Sequence, residues 1–290
     1  MNPVYDFSAL DHATMLSDHV RLELYRRAIQ NQVKEGQVVA EIGTGSGILS
    51  AYAASRTKAP VFAIEYYEAS ARMASEMFKA ANLSQVKVMK GESYGITLSP
   101  MPEVLVTETI GALGPEENIV ELCYDFKKRH PTIHTIIPAR LKVYAEPISS
   151  RTVKDAENFF YDSYLKASFE GFNYQAVLPG LKRIWSSHIR HDPLSDAEIM
   201  GDRTLLADYV LGETQVSAFA RDVNLLGLEG VDAVHLYFEA ELDGEVLLTT
   251  HRMDPITHWG NAYVVKPEGF SVLTVSYGPH SKDLQVEWKN

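Results

Sequence analysis

The feature that most constrains this chain is an apolar strand that runs directly into a glycine-rich turn, VVAEIGTGSGILS at residues 38–50. Residues 38–42 are apolar apart from Glu41, and glycine occupies every second position from 43 to 47. Glycines in this arrangement let the backbone turn sharply and approach a ligand closely, and the helix that follows presents unpaired N–H groups. The pattern predicts a cofactor-binding loop at the carboxyl end of a strand in an open α/β sheet.

The spacing of the glycines and of two acids indicates the class of cofactor. The turn reads G-x-G-x-G, whereas a dinucleotide-binding turn reads G-x-G-x-x-G, so the loop suits a nucleoside better than a pyrophosphate. Glu41 precedes the glycines, where its carboxylate could face an amino acid ammonium group. A second predicted strand, residues 61–64, ends at Glu65, where a carboxylate can bind both ribose hydroxyls. The sequence therefore predicts S-adenosylmethionine as the cofactor.

Composition and charge narrow the class of protein. The 290 residues carry 27 Lys and Arg against 38 Asp and Glu, a formal net charge of −11, which argues against nucleic acid as a partner. The single cysteine, Cys123, permits no internal disulfide and no metal cluster. No apolar run approaches the length of a membrane span, and the N-terminus lacks the pattern of a signal peptide. We expect a cytoplasmic enzyme with no metal and no membrane partner.

The two halves of the chain differ in their predicted secondary-structure pattern. Residues 36–137 alternate short apolar strands with helical segments, which favours a Rossmann-like, doubly wound parallel sheet. A helix over residues 11–32 is predicted ahead of this sheet by its hydrophobic period. Residues 138–290 contain short strands of alternating character and a hairpin turn at Asp243–Gly244, which predict an antiparallel, β-barrel-like domain. A polar stretch around residues 190–210 is expected to form a protruding arm.

The residues that indicate the chemistry follow the fourth predicted strand, residues 104–107. Glu108 comes next, and a segment with two glycines and a proline separates it from Glu117. Such a segment can reverse tightly and bring both carboxylates together beside the cofactor. Paired carboxylates repel unless a cation lies between them, and a guanidinium forms bidentate hydrogen bonds while keeping its charge at pH 7. The pair predicts methyl transfer to a guanidinium nitrogen; in the alternative, the acids are separate, solvated loop residues.

Three motifs that lie far apart in the sequence are similar to those of the protein arginine methyltransferase family. Glu108, Gly111 and Glu117 resemble the family's double-glutamate loop. Residues 257–259 resemble its Thr-His-Trp loop. The N-terminal helix pattern of the family is matched by His12, Met15, Leu16, Asp18, Arg21 and Tyr25. The chain resembles a short, divergent member of this family, of bacterial or small-molecule type.

The resemblance implies a role for each matched residue. Glu108 and Glu117 would grip the guanidinium. His258 would pair with Asp18 and accept or relay the proton. Arg21 would bind the cofactor carboxylate and steady the double-glutamate loop. His12 and Met15 would flank the sulfonium. The predicted cofactor-binding residues are His12, Met15, Arg21, Glu41, Gly43, Thr44, Gly45, Gly47, Glu65, Glu92 and Ser93.

The resemblance also implies an architecture and a partner. Residues 1–35 would form helices that cover the cofactor, and residues 36–137 would form a Rossmann-like S-adenosylmethionine-binding domain. Residues 138–290 would form a β-barrel-like substrate domain with a helical dimerisation arm near residues 190–210. Such an arm would join two copies of the chain head to tail.

Departures from the family pattern leave the acceptor open. The acid loop is small, with Ala112 and Gly114 at positions that the family fills with bulkier residues. Tyr94 replaces the family's adenine-binding glutamate, so Glu92 or Ser93 is expected to substitute. The small loop and the lack of an appended recognition domain favour a small guanidino or arginine-like molecule, with arginine in a peptide or protein as the alternative. A third alternative is a catalytically silent, dimeric binding subunit.

Overall fold

The computed structural model describes residues 9–166, 177–278, 281 and 283–290. The first half contains α1 (Ala9–Ser17), α2 (His19–Gln32), β1 (Val39–Ile42), α3 (Ile48–Ala54), β2 (Val61–Glu65), α4 (Glu68–Ala80), β3 (Val86–Lys90), β4 (Val104–Thr107), α5 (Ile119–Arg129) and β5 (Thr135–Ile137). Single 3-10 turns cover Ser93–Gly95 and Pro115–Glu117. The second half contains β6 (Arg140–Ser149), α6 (Arg151–Lys166), α7 (Leu178–Ser186), β7 (Arg190–His191), β8 (Glu198–Ile199), β9 (Thr204–Val210), β10 (Phe219–Asn224), β11 (Ala233–Glu241), β12 (Leu247–Thr249), β13 (Ala262–Val265), β14 (Val272–Tyr277) and β15 (Gln285–Lys289).

These elements belong to two units, which the chain enters more than once. Unit 1 comprises residues 1–142, 208–217 and 239–249. Unit 2 comprises residues 143–207, 218–238 and 250–290. Two segments from the second half of the sequence therefore pack with the N-terminal half. No helix among the described residues combines the length and the apolar character that a membrane crossing requires.

The sheet of unit 1 is parallel, with the strand order β3-β2-β1-β4-β5. Every residue of β1, β2 and β4 is buried, as expected for the apolar strands of a parallel sheet. The chain leaves β1 toward β2 on one side and later returns to β4 on the other side. Ligands of doubly wound sheets bind at this reversal of strand order, beyond the carboxyl ends of the strands. The predicted Rossmann-like sheet is confirmed.

The N-terminal segment forms two helices, so the prediction of one continuous helix over residues 11–32 is wrong. Asp18 separates them, with a backbone ψ of 82° that is not helical. Its Oδ1 atom accepts a hydrogen bond from the Arg21 backbone N–H at 3.0 Å, which makes Asp18 the N-cap of α2. A short carboxylate side chain competes well for free N–H groups at a helix start, and this competition breaks the helix here.

The strands of unit 2 are antiparallel, which confirms the predicted class of the second half. One sheet has the strand order β7-β13-β11-β6-β8, and the parts of β11 and β6 that belong to unit 2 lie at its centre. A second sheet has the order β10-β14-β15. A hydrophobic cluster lies under α6 and α7 and consists of Ile148, Val153, Trp185, Leu194, Ala197, Ala233, Tyr263 and Val265. In unit 1, the predicted hairpin at Asp243–Gly244 joins β11 to β12, with Glu239 opposite Thr249.

The helical arm expected around residues 190–210 is not found in that segment, all of which is described. The segment contains β7, β8 and β9 instead; β7 pairs with β13, and β8 and β9 pair with β6. Burial in β9 is uneven along the strand, as in a strand with one covered face, and the exposed positions account for the polar sequence. The helices α6 and α7 precede this segment, and residues 167–176 between them lie outside the described residues.

Candidate functional site

The glycine-rich loop after β1 has the backbone of a ligand cradle. Gly43, Gly45 and Gly47 have φ values of 73°, 50° and 88°, in the left-handed region that favours glycine. The N–H of Gly45 donates to Glu65 Oε2 at 2.8 Å, and the N–H of Tyr67 donates to Glu65 Oε1 at 2.8 Å. Glu65 is thereby fixed at the end of β2 against the loop, and each oxygen keeps a further lone pair for a ligand hydroxyl.

Glu41 shapes this loop from inside. Its side chain is buried, and its Oε2 accepts hydrogen bonds from Thr44 Oγ1 at 2.5 Å and from Ser50 Oγ. Burial raises the pKa of Glu41 to about 8, against the opposing effect of the two hydroxyl groups. In the structure, the Glu41 carboxylate is bound by the hydroxyl of Thr44 in the loop and by that of Ser50 in α3. The sequence had indicated the ammonium group of an amino acid ligand as its partner.

His12 of α1 lies against the same loop. Its Nε2 is 3.0 Å from Ser70 Oγ of α4. A Cβ atom built on Gly45 would lie 3.1 Å from His12 Cε1, so the imidazole covers this glycine closely. Burial lowers the pKa of His12, while the charges of Glu65 and Asp11 oppose that change.

A buried ion pair connects α2 to the acid at the end of β4. The Arg21 guanidinium contacts the Glu108 carboxylate through Nη1, and the two side chains are 5% and 9% exposed. Arg21 Nη2 donates to the Met15 carbonyl at 2.7 Å. The hydroxyl of Tyr25 donates to the Thr107 carbonyl at 3.0 Å. Helix α2 therefore fixes both the backbone before Glu108 and the carboxylate itself, and the binding of a cofactor carboxylate by Arg21 stays a prediction.

The segment after Glu108, which we call the acid loop (residues 108–117), closes on itself. Gly111 N–H donates to the Gly114 carbonyl at 2.9 Å, and Gly114 N–H donates back at 3.2 Å. The Glu116 carboxylate accepts the N–H of Leu113 at 3.0 Å. A Cβ atom on Gly111 would lie 2.5 Å from Glu116 Oε2, so this position requires glycine. The buried Glu116 thus supports the loop, and the next residue is the predicted second acid.

Glu117 lies in the 3-10 turn that ends the loop. Burial raises its pKa well above the usual range, and the charges of Glu108 and Glu116 raise it further. The two predicted acids are therefore close enough to act on each other electrostatically. An incoming cation would relieve the repulsion and favour the ionised form of Glu117.

The remaining predicted residues occupy two places. In unit 1, Ser93 is buried and its carbonyl accepts from Arg129 Nη2 at 2.7 Å, whereas Glu92 is exposed. In unit 2, the rings of His258 and Trp259 lie 4.0 Å apart, and Trp259 packs edge-on against Phe238. The pairing of His258 with Asp18 joins residues of different units and stays a prediction.

Sequence reasoning missed several residues that build the site. They are Ser50, Ser70, Thr109 and Glu116. The hydroxyl of Ser50 inside the apolar segment ILSAYAA was an available signal, because such a residue must find a buried partner. Ser70 and His12 are 58 positions apart in the sequence, so no local sequence pattern predicts their contact.

The fold and the site define a class of protein. A parallel sheet with a glycine cradle at its switch point and an acid at the end of β2 is a Rossmann-like, nucleoside-binding architecture. A family profile described as tRNA methyltransferase complex GCD14 subunit matches residues 9–93, which contain this cradle.

Curated proteins are similar to this chain over most of its length. Probable protein arginine N-methyltransferase 6.1 of Oryza sativa subsp. japonica is 27% identical over 249 residues, which cover 80% of this chain and 60% of the relative. Protein arginine N-methyltransferase 6 of Danio rerio is 25% identical over 279 residues, which cover 90% and 78%. The chain thus spans about three fifths of the rice protein's length.

The solved structures agree in fold. That of Arabidopsis thaliana protein arginine methyltransferase 10 has a TM-score of 0.74 at 18% identity and covers 98% of this chain and 94% of its own. The Trypanosoma brucei PRMT1 enzyme-prozyme complex with AdoHcy has a TM-score of 0.73 at 19% identity, covering 96% and 93%. Over most of its length the chain is thus similar to protein arginine methyltransferases in sequence, at 25–27% identity, and its fold matches theirs.

Proposed function

We propose that this chain is an S-adenosylmethionine-dependent methyltransferase that acts on a guanidinium nitrogen. The observation that carries the proposal is the acid loop, in which desolvation and then the neighbouring charge of Glu108 raise the pKa of the half-buried Glu117. A permanently charged, planar cation is the group that such a pair accommodates best, because it offers two hydrogen bonds to each carboxylate. The relationship to arginine methyltransferases supports the same chemistry.

The cradle fits the cofactor that this activity requires. A Cβ atom on Gly47 would lie 2.7 Å from Phe78, and one on Gly45 would lie 3.1 Å from His12, so packing excludes side chains at both positions and leaves a bare backbone that a nucleoside can approach. Glu65 would hold the ribose hydroxyls and Arg21 the carboxylate, with Met15 beside the sulfur. Glu92 or Ser93 would lie near the adenine, and Glu41 and Thr44 would keep the loop in shape. When bound, the cofactor supplies a methyl group on an electrophilic sulfonium.

The residues of the chain orient the acceptor and take its proton. Glu108 and Glu117 would hold the guanidinium so that one nitrogen points at the methyl carbon, and this alignment supplies most of the rate. His258, paired with Asp18, would receive the proton that the methylated nitrogen loses. The short acid loop favours a small guanidino or arginine-like molecule as the acceptor, and arginine in a peptide or protein is the second candidate.

Exchanging one acid for its amide tests the proposal. Glu117→Gln keeps the shape of the side chain and removes its charge, so we expect transfer of labelled methyl groups to fall about 100-fold or more, while cofactor affinity changes less than about threefold. Glu116→Gln is the matched control: its amide oxygen still accepts the Leu113 N–H, and activity should remain within a few fold.

Three acceptors separate the candidates: free arginine, a set of small guanidino compounds, and an arginine-rich peptide. Transfer to the small compounds alone supports the favoured acceptor, and transfer to the peptide alone supports the second. Unchanged transfer in Glu117→Gln contradicts the paired-acid mechanism. Cofactor binding without transfer to any acceptor would support a catalytically silent binding subunit; the presence of Glu108, Glu117 and His258 counts against that alternative.

We also propose that two copies associate head to tail, as the family resemblance implies. The chain has a mass of 32.4 kDa, so sedimentation equilibrium should give twice this value at micromolar concentration. A monomer mass at every concentration up to about 100 μM would contradict the proposal, because a specific interface of ordinary size holds at that concentration.

A further inference from the structure

One hydrogen bond ties the first helix to the cofactor cradle. His12 of α1 is 8% exposed, and Ser70 in the first turn of α4 is 3% exposed. His12 Nε2 and Ser70 Oγ lie 3.0 Å apart, across 58 positions of sequence. A hydrogen bond between two buried side chains on different helices restrains the orientation of both, because breaking it costs more in the interior than in water.

The imidazole that Ser70 holds is part of the cradle wall. His12 Cε1 and Nδ1 lie 3.1 and 3.4 Å from the position that a Cβ atom on Gly45 would occupy. The N–H of Gly45 in turn donates to Glu65 at 2.8 Å. Ser70, His12, Gly45 and Glu65 therefore form one connected series that joins α4, α1, the glycine loop and the end of β2.

We propose that Ser70 is a positioning residue that holds the His12 ring against the glycine loop and thereby keeps α1 closed over the bound nucleoside cofactor. This inference rests on the proposed cofactor and deepens it. Ser70 itself acts through His12. Its removal should raise the rate of cofactor release, because the His12 ring would no longer be held against the glycine loop.

The electrostatic surroundings of His12 favour a neutral ring in this position. Burial lowers its pKa, and the facing charges are those of Glu65 on β2 and Asp11 on α1, which oppose the change. A neutral ring can accept the Ser70 O–H at Nε2 and carry its proton on Nδ1. Below the ordinary histidine pKa of 6.5, protonation removes this acceptor, so closure should weaken as the pH falls.

The test measures binding of S-adenosylhomocysteine by calorimetry and its release by stopped-flow. We expect Ser70→Ala to raise Kd about five- to tenfold, through faster release, and Ser70→Thr to restore most of the affinity. Ser55→Ala is the control: the Ser55 hydroxyl donates to a carbonyl of its own helix at an exposed helix end, so the Kd of this variant should equal that of the wild type.

A double-mutant comparison separates positioning from general packing. In a His12→Ala background, Ser70→Ala should cause no further loss of affinity, and the fall in affinity below pH 6.5 should disappear. An equal Kd for wild type and Ser70→Ala, or additive losses in the double variant, overturns this inference. Failure of the wild-type protein to bind the probe overturns the proposed cofactor instead, so the two failures are distinguishable.

Discussion

At the scale of single residues, the acid loop assigns different tasks to adjacent carboxylates. Glu116 accepts a backbone N–H and supports the loop, whereas the pKa of Glu117 is raised by burial and by the charges of Glu108 and Glu116. Sequence reasoning identified Glu108 and Glu117 from their spacing and could not separate Glu116 from Glu117. That distinction depends on which side chain turns back toward Leu113, and tertiary packing decides it.

The raised pKa of Glu117 predicts that substrate binding releases a proton. Without a cation nearby, the folded protein favours protonated Glu117; a bound guanidinium favours the carboxylate, so the proton must leave. Guanidinium affinity should therefore increase as pH rises, by up to about tenfold per unit below the pKa of Glu117. Calorimetric titrations in buffers of different ionisation enthalpy measure this proton directly.

The control for proton release is Glu117→Gln, which has no proton to give. Its weaker binding should be independent of the buffer and of pH in the same range. Binding to the wild-type protein with no dependence on buffer would show that Glu117 is already ionised and would contradict the electrostatic account of the site.

At the scale of elements, the glycine loop and the acid loop are packed against each other. A Cβ atom on Gly43 would lie 2.7 Å from Thr109 Cγ2, and the Thr109 hydroxyl is 3.1 Å from that of Thr107. The two loops follow neighbouring strands, β1 and β4, whose residues Ile42 and Thr107 are directly paired. A change in one loop is therefore transmitted to the other.

Gly43→Ala tests this contact. We expect a loss of about 1 kcal/mol from its positive φ and a further loss of about 1–3 kcal/mol from the clash with Thr109. Gly36→Ala is the matched control, because Gly36 also has a positive φ, 86°, with open space around its Cβ position. Adding Thr109→Ser removes the clashing methyl group, keeps the hydroxyl, and should recover most of the second loss. Urea unfolding that gives equal values for Gly43→Ala and Gly36→Ala would contradict the contact.

Local patterns were sufficient to predict most elements of unit 1. The glycine spacing and the apolar strands require particular backbone geometries, and these appear at β1, β2 and β4 as expected. The break at Asp18 was missed because the prediction followed the hydrophobic period of residues 11–32. The capping tendency of an aspartate was the signal that it overlooked. Residues 190–210 contain strands where an arm was expected, because β7, β8 and β9 are stabilised by pairing with distant strands, which a polar sequence does not reveal.

At the scale of the whole molecule, unit 1 depends on chain that comes much later in the sequence. Ala139 N–H donates to the Glu241 carbonyl at 2.7 Å, and the Ala139 carbonyl accepts from Leu211 at 3.0 Å. Glu121 accepts both the N–H and the hydroxyl of Ser217, at 2.8 and 2.6 Å. The cofactor half is therefore completed by segments 208–217 and 239–249.

A fragment of residues 1–142 should therefore fold poorly, although it contains every strand of the parallel sheet. Removing these partners leaves backbone groups near β5 and the Glu121 carboxylate without their hydrogen bonds. We expect a loss of several kcal/mol relative to the same sheet in the whole chain, measured by hydrogen exchange of the β1 and β4 amides. Protection of these amides in the fragment equal to that in the full chain would contradict the dependence.

The reciprocal bonds between Gly111 and Gly114 have a consequence for how such a site can diversify. The tip of the loop carries its own internal support between flanks, Thr107 and Ile119, that are anchored in strand and helix. Substitutions confined to residues 111–114 would therefore reshape the tip while Thr109, which contacts the glycine loop, keeps its place.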